Sequence, residues 1–366
     1  MLESIEIFSR LHAKAREDPL PLDDSSRLVF LSDCHRGNGG WGDDFAHNRL
    51  IYLHALEWYR RNGYTLVEVG DGEELWENTS FAAIHWAYSE IYVRLGYLHS
   101  EGRFVLIWGN HNNRWRDPEK LRRELMPAMW MYFDGRPSPL LEHIEAAELH
   151  RIAKGTAEPP DLPVFRPLAT REAVVLRHAS SGGEILVTHG HQGELWSHRM
   201  WPMSRFLVRR VWRMLQNAGL RPRITPAGNY ALMKRVESRL NLWCRLTGIP
   251  LIAGHTHQSE FPAPDATPYF NCGSCVHPRC ITAIEISEGK ITLVKWHVST
   301  PVAEGKAVGA SLEMMRNVLQ GPVELSLYLG RRPDGGRKRR KLRKIEAPVM
   351  GQRVSAADRE VSLVEK

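Results

Sequence analysis

The chain has 366 residues, with 49 Lys+Arg, 42 Asp+Glu and 43% hydrophobic residues. That balance excludes a mostly disordered or collagen-like polypeptide, and the length allows one large domain with insertions or two to three smaller ones. Five cysteines are too few for a disulfide scaffold, no apolar run reaches the roughly 18–20 residues of a membrane span, and residues 1–6 show no leader pattern, so a cytoplasmic protein without transmembrane segments is expected.

Residues 1–26 read as an N-terminal extension. A single domain is expected over 27–320. Short aliphatic runs at 27–33 (RLVFLSD), 64–71 (YTLVEVGD), 104–110 (FVLIWGN), 184–190 (EILVTHG) and 249–255 (IPLIAGH) predict strands buried on both faces. Helical patterns lie between them at 48–61, 82–99, 118–132, 202–216 and 230–246. Runs at 268–273, 281–286 and 291–297 predict half-buried strands of antiparallel character. Strands alternating with helices predict an α/β layered fold. Beyond it, residues 331–344 carry nine Lys/Arg against one Asp, an excess larger than the whole chain's net +7. The basic character therefore belongs to a tail, 331–366, with the composition of a disordered segment. Such a tail can touch nucleic acid or an anionic membrane surface.

The predicted strand ends carry the chemistry. In order they present Asp33 with His35, then Asp71, then Asn110 with His111, then His189, then His255 with His257. Ligand sites in α/β sheets collect beyond the carboxyl ends of strands. Seven of these residues, Asp33, His35, Asp71, Asn110, His189, His255 and His257, can ligate metal through carboxylate, amide and imidazole. That donor set suits Mn²⁺, Fe²⁺, Zn²⁺ or Mg²⁺ and not a thiolate site. Seven donors exceed the four of one tetrahedral zinc and suit two divalent ions bridged by a carboxylate. Two such ions can activate water and stabilise a phosphoryl oxygen during in-line displacement.

The ordered blocks Asp33-Cys34-His35, Gly70-Asp71-Gly72-Glu73-Glu74, Gly109-Asn110-His111, Thr188-His189-Gly190 and Gly254-His255-Thr256-His257 resemble the calcineurin-like metallophosphoesterase signature. The resemblance implies a two-sheet sandwich flanked by helices. It implies one metal held by Asp33, His35, Asp71 and His257, and a second by Asp71, Asn110, His189 and His255, with Asp71 bridging. It also implies that His111 faces the phosphate and protonates the leaving oxygen or stabilises the transition state as a cation. Family members acting on phosphoproteins usually carry an arginine after the second block and an acidic residue after the Asn-His pair. Leu75 and Asn112 stand there, which disfavours a phosphoprotein phosphatase. The expected substrate is a phosphodiester, a pyrophosphate or a small phosphomonoester. The readings set against it are a nuclease or nucleic-acid-associated protein and a non-catalytic scaffold.

Arg36 and Arg114 are candidate phosphate clamps, since a guanidinium fork matches phosphate oxygens. His191, two residues past His189, is a candidate substrate contact. Residues 192–248 form an insertion of two amphipathic helices, with Arg205, Arg209 and Arg213 as a ladder on the first. Two readings stand for it: a pair of core-packing helices with solvated arginines, or a cap whose position resembles the lid of the UDP-2,3-diacylglucosamine pyrophosphatases, a lipid-handling branch of the same family, and which makes Arg209 a contact for a lipid-linked substrate. Cys272, Cys275 and Cys280 form a C-x2-C-x4-C run, for which a zinc site with His277 is the minor reading and a plain turn the major one.

Overall fold

The computed structural model describes residues 2–193, 230–299, 302–303, 306–307 and 313–330. Its strands are β1 (Leu20–Leu22), β2 (Leu28–Leu31), β3 (Thr65–Val69), β4 (Phe104–Ile107), β5 (Ala173–His178) and β6 (Glu184–Thr188). They continue with β7 (Leu251–Ala253), β8 (Tyr269–Asn271), β9 (Cys280–Ser287), β10 (Lys290–Ser299) and β11 (Glu313–Glu324). The longer helices are α1 (Leu2–Ala15), α2 (Arg49–Arg61), α3 (Phe81–Ser100), α4 (Ala146–Ala153) and α5 (Tyr230–Thr247). None among the described residues is long and apolar enough to cross a membrane.

Successive strand residues point to opposite faces, and here both faces are apolar. On β2, Leu28 and Phe30 face one core while Val29 and Leu31 face another; on β6, Ile185 and Val187 separate from Leu186 in the same way. The consequence is a sandwich of two sheets with helices outside each. One sheet runs β11-β10-β9-β2-β3-β4 and the other β1-β5-β6-β7-β8. Phe30, Val67, Ile107, Val187, Ile252 and Phe270 fill the layer between them. Tyr52, Leu56, Tyr88 and Ile91 from α2 and α3 cover the outer face of the six-stranded sheet. Phe8 and Leu11 of α1 and Val236, Leu240 and Trp243 of α5 cover the five-stranded one.

Four sequence expectations change. Residues 1–26 are not an appendage, because β1 pairs in parallel with β5 and α1 seals the outer face of its sheet. The sandwich runs past residue 320, since β11 ends at Glu324 and Leu325 and Tyr328 are buried in the inter-sheet core. The strand near 268–273 pairs with β7 in parallel, not antiparallel. The second helix of the supposed lid is a core helix: Met233, Val236, Leu240 and Trp243 are buried, and Trp243 Nε1 donates to Ser9 Oγ of α1 at 3.2 Å. The first lid helix, with Arg209, and the basic tail lie outside the described residues.

Candidate metal centre

Parallel pairing of β2, β3 and β4 brings three strand ends to one edge, and the parallel pair β6 and β7 brings two more from the other sheet. The chain then turns sharply. Asp33, His35, Asp71, His255 and His257 have φ of 53°, 46°, 50°, 70° and 59°, the left-handed region that non-glycine residues seldom occupy. Backbone held there marks sites where the surroundings fix an unfavourable conformation. The space is equally tight. A Cβ at Gly109 would strike Asp71 Oδ1, and one at Gly70, itself at φ 82°, would strike the His189 ring.

The donor atoms meet in two groups. In the first, His257 Nε2 is 3.1 Å from Asp33 Oδ1 and 3.1 Å from His35 Nε2, and His35 Nε2 is 3.7 Å from Asp33 Oδ1. In the second, His189 Nε2 is 3.0 Å from Asp71 Oδ2, and Asp71, His189 and His255 each place a donor atom within 4.8 Å of the others. His35 Nε2 and Asp71 Oδ2, 3.8 Å apart, link the groups. Asp33 Oδ2 accepts the His255 backbone N–H at 2.8 Å, which ties a loop of one sheet to a loop of the other.

Ring orientation is fixed from behind. His189 Nδ1 lies 2.9 Å from the Val69 carbonyl and His35 Nδ1 lies 2.8 Å from Glu74 Oε2, so in each ring Nδ1 carries the proton and Nε2 is left as a lone-pair donor. Asp33 Oδ1, Asn110 Oδ1 and His189 Nε2 are buried without a hydrogen-bond partner of good geometry. Buried polar atoms are normally satisfied, and Asp33 Oδ1 and His189 Nε2, unpaired within the two clusters of carboxylates and imidazoles, fit a divalent cation.

Charge follows the same plan. Burial pushes the Asp33 carboxyl up, but His257 and His189 outweigh it and hold it well below the usual carboxylate range. His189 and His111 do the same for Asp71 against its burial, and His111 and His35 for Glu74. The His35 imidazole is raised despite burial, through Asp33 and Glu74. Burial lowers His257. The carboxylates therefore stay ionised at neutral pH, ready as anionic donors.

His111 shares the Glu74 carboxylate with His35: its Nδ1 is 2.7 Å from Glu74 Oε2. The Trp76 indole stacks on the ring at 4.3 Å, and the His111 backbone N–H donates to Asp71 Oδ1 at 2.8 Å. Side chains of His35, His111 and His257 are 13%, 15% and 19% exposed while Asp33 and His189 are sealed, so solvent reaches the centre along the side of these three imidazoles. Glu77, on that rim, is pushed up to about 7 by burial and by the Glu74 charge. Neither Glu74 nor Glu77 was singled out from sequence.

Arg36 is not a phosphate clamp. Its guanidinium is fully buried, donating to Glu68 at 2.9 Å through each terminal nitrogen and to Glu73 at 2.7 Å. Glu73 also accepts from Trp115 Nε1 at 2.6 Å and Asn112 Nδ2 at 3.0 Å, and Asn112 Oδ1 accepts from Gly109 N at 2.7 Å. The arginine thus braces the loops of His35, Asp71 and Asn110 from beneath. Arg114 is paired with Glu124 in a groove lined by none of the seven donors. His191 is buried with its ring 5.5 Å from that of His189 and 6.3 Å from that of His255. Cys272 lies in the inter-sheet core, Cys275 in the helix-side core, and His277 Nε2 contacts the His257 carbonyl at 2.7 Å, so the cysteines do not converge on a zinc site.

No family model matches the chain, and no curated protein matches it in sequence. Among solved structures it resembles a cold-active protein-tyrosine phosphatase of a psychrophilic Shewanella species, at 13% identity and TM-score 0.32 over 82% of each chain. It also resembles a 5′-nucleotidase from Candida albicans, at 12% identity and TM-score 0.27 over 81% of this chain and 52% of that one. A third likeness is to the calcineurin-like phosphoesterase YfkN from Bacillus subtilis, at 10% identity and TM-score 0.29 over 83% and 94% of the two chains. Similarity this low carries no argument about activity or substrate.

Proposed function

We propose that this protein is a hydrolase of phosphate esters that works with two divalent metal ions. The observation that carries the reading is the convergence of buried carboxylates and imidazoles, with Asp33 Oδ1, Asn110 Oδ1 and His189 Nε2 lacking hydrogen-bond partners. Asp33, His35 and His257 would hold one ion, Asp71, His189, His255 and Asn110 the other, with Asp71 shared. Bound ions of this class supply Lewis acidity and activate water.

The chain's own residues supply the rest. Asp71 fixes the His111 loop through the His111 N–H. The Glu74 carboxylate lies 2.7 Å from His111 Nδ1 and pairs with the charged imidazole, with Nε2 as the atom offered to substrate. Protonated, His111 delivers a proton to the departing ester oxygen; Trp76 keeps its ring in one plane. His191, buried beside His189, is the nearest further imidazole to contact substrate.

Mn²⁺ is the first metal to try, and a phosphodiester or pyrophosphate of a small molecule the first substrate class. The lipid and nucleic-acid readings rest on segments outside the described residues and gain no support here. The test is Mn²⁺-dependent hydrolysis of bis(4-nitrophenyl) phosphate beside 4-nitrophenyl phosphate, for wild type and Asp71→Asn. Cleavage by wild type that falls at least about 100-fold in the variant supports the reading, because the shared carboxylate serves both ions. Equal turnover by the two proteins overturns it.

A further inference from the structure

The surface holds a groove of about 550 Å³ lined in part by Thr79, Phe81, His85, Arg114, Arg123 and Phe133. That volume lies in the range of small-molecule sites. Two of its walls continue directly from the metal centre. Arg114 stands three residues after His111, and Thr79 three residues after Trp76, whose indole stacks on His111. Three residues of extended chain reach at most about 11 Å. The backbone of Arg114 therefore lies within about 11 Å of that of His111, a separation that one small molecule can bridge.

The lining combines flat apolar walls with two cations and one carboxylate, Glu124. Phe133 is 47% exposed and meets the His85 ring edge-on at 5.8 Å, while the His85 ring lies parallel to Phe81 at 6.3 Å. His85 Nε2 is engaged by the Met131 carbonyl at 3.1 Å, and burial lowers its basicity, so it contributes a neutral ring. Positive charge comes from Arg114, paired with Glu124, and Arg123, paired with Glu119. Both pairs are partly exposed, the kind that contributes little. Arg114 Nε is buried and makes no hydrogen bond. A phosphate offers each guanidinium more charge and more acceptor oxygens than one carboxylate does.

We propose that this groove binds a flat aromatic ring carrying its own phosphate, the half of a diester that leaves when the bond at the metal centre is cut. The ring lies against Phe133 and Phe81, and its phosphate takes Arg114 and Arg123. In the hydrolysis, water oxygen bonds to phosphorus, the phosphorus–ester oxygen bond breaks, and the departing oxygen takes its proton from His111. The leaving-group role rests on the phosphoester activity proposed above; the binding does not.

The test is isothermal titration of the full-length His111→Asn chain, which keeps all seven proposed metal donors, first with Mn²⁺ and again after chelation. The probe is adenosine 5′-monophosphate, with adenosine and ribose 5-phosphate as controls. We expect both controls to bind at least about tenfold more weakly, and Arg114→Gln and Phe133→Ala each to weaken the nucleotide about tenfold, or roughly 1.4 kcal/mol. Chelation is expected to leave the affinity nearly unchanged. Affinity indifferent to both substitutions, abolished by chelation, or matched by ribose 5-phosphate overturns the proposal. Phe133 is half-exposed, so its alanine variant keeps the test valid should Arg114→Gln fold poorly. Binding that survives while the hydrolysis test fails retains the groove and removes only its role as a leaving-group site. Hydrolysis without nucleotide binding removes the groove alone.

Discussion

Glu74 places one carboxylate oxygen 2.7 Å from His111 Nδ1, although it comes from the loop after β3 and His111 from the loop after β4. The same oxygen is 2.8 Å from His35 Nδ1. One acid therefore stands beside both a candidate proton donor and a candidate metal donor.

Glu74→Gln keeps the shape and removes the charge. Outer partners of this type typically affect metal affinity or activity by about 10–100-fold. We expect kcat to fall by about that factor with KM little changed at saturating Mn²⁺. Combined with His111→Asn, the loss should be less than the product of the single losses, because the residues act as a unit. Independent multiplicative losses in this cycle would separate Glu74 from His111.

Metal binding should be visible without turnover. Ions that bind only the folded chain stabilise it by about 2.7 kcal/mol at a concentration of 100 Kd. Adding Mn²⁺ to chelator-treated protein should raise the melting temperature, and Asp71→Asn should remove most of that rise and lower the bound metal count. A melting temperature indifferent to Mn²⁺, Zn²⁺, Fe²⁺ and Mg²⁺ would contradict a metal centre at these residues.

Arg36 separates bracing from substrate binding. Removing one partner of a buried ion pair costs about 3–5 kcal/mol, because the remaining charges stay buried. Arg36→Met should lower stability by that amount in urea unfolding, since Glu68 and Glu73 lose their cation. Unchanged stability with a raised KM would restore the phosphate-clamp role.

Acid should loosen α1. His12 Nε2 and Arg16 Nε each lie 2.9 Å from Glu184 of β6. Burial lowers the His12 imidazole below its ordinary 6.5, so as pH falls through about 6.5 the unfolded chain gains a proton that the folded one resists, and stability drops. Glu184 is also depressed: burial opposes its ionisation, but Arg177 and Arg16 outweigh it. Its contribution is present above 4.5 and lost as pH falls through the lower folded value. Denaturant melts from pH 7 to pH 3 should show both losses, and Glu184→Gln should flatten the portion below about pH 4.5.

The donors were legible because each ends a short apolar run, and a buried strand leaves its first polar residues at the edge of the sheet. The α/β layering followed from short buried runs alternating with helical patterns, whereas the two-sheet arrangement was implied by the resemblance of the ordered blocks. What lay beneath the loops was not legible. Arg36 beside His35 reads as a free cation until the fold sets Glu68 and Glu73 against it. The three-residue β8 is too short for sequence to give its direction. α1 and β1 precede the signature blocks, and their place is set by contacts with β5 and α5, which are distant in the chain.

The left-handed backbone at Asp33, His35, Asp71, His255 and His257 narrows the alphabet of those positions before any chemistry is considered. Asp, Asn and His are the side-chain-bearing types that enter this region most readily, whereas β-branched residues are outliers there. The types that hold divalent ions are thus the types that the turns admit. Folding and the proposed metal binding would filter these five positions in the same direction. Exchanges among Asp, Asn and His interrogate the chemistry with the chain path intact, whereas valine or threonine at these positions would interrogate the turn.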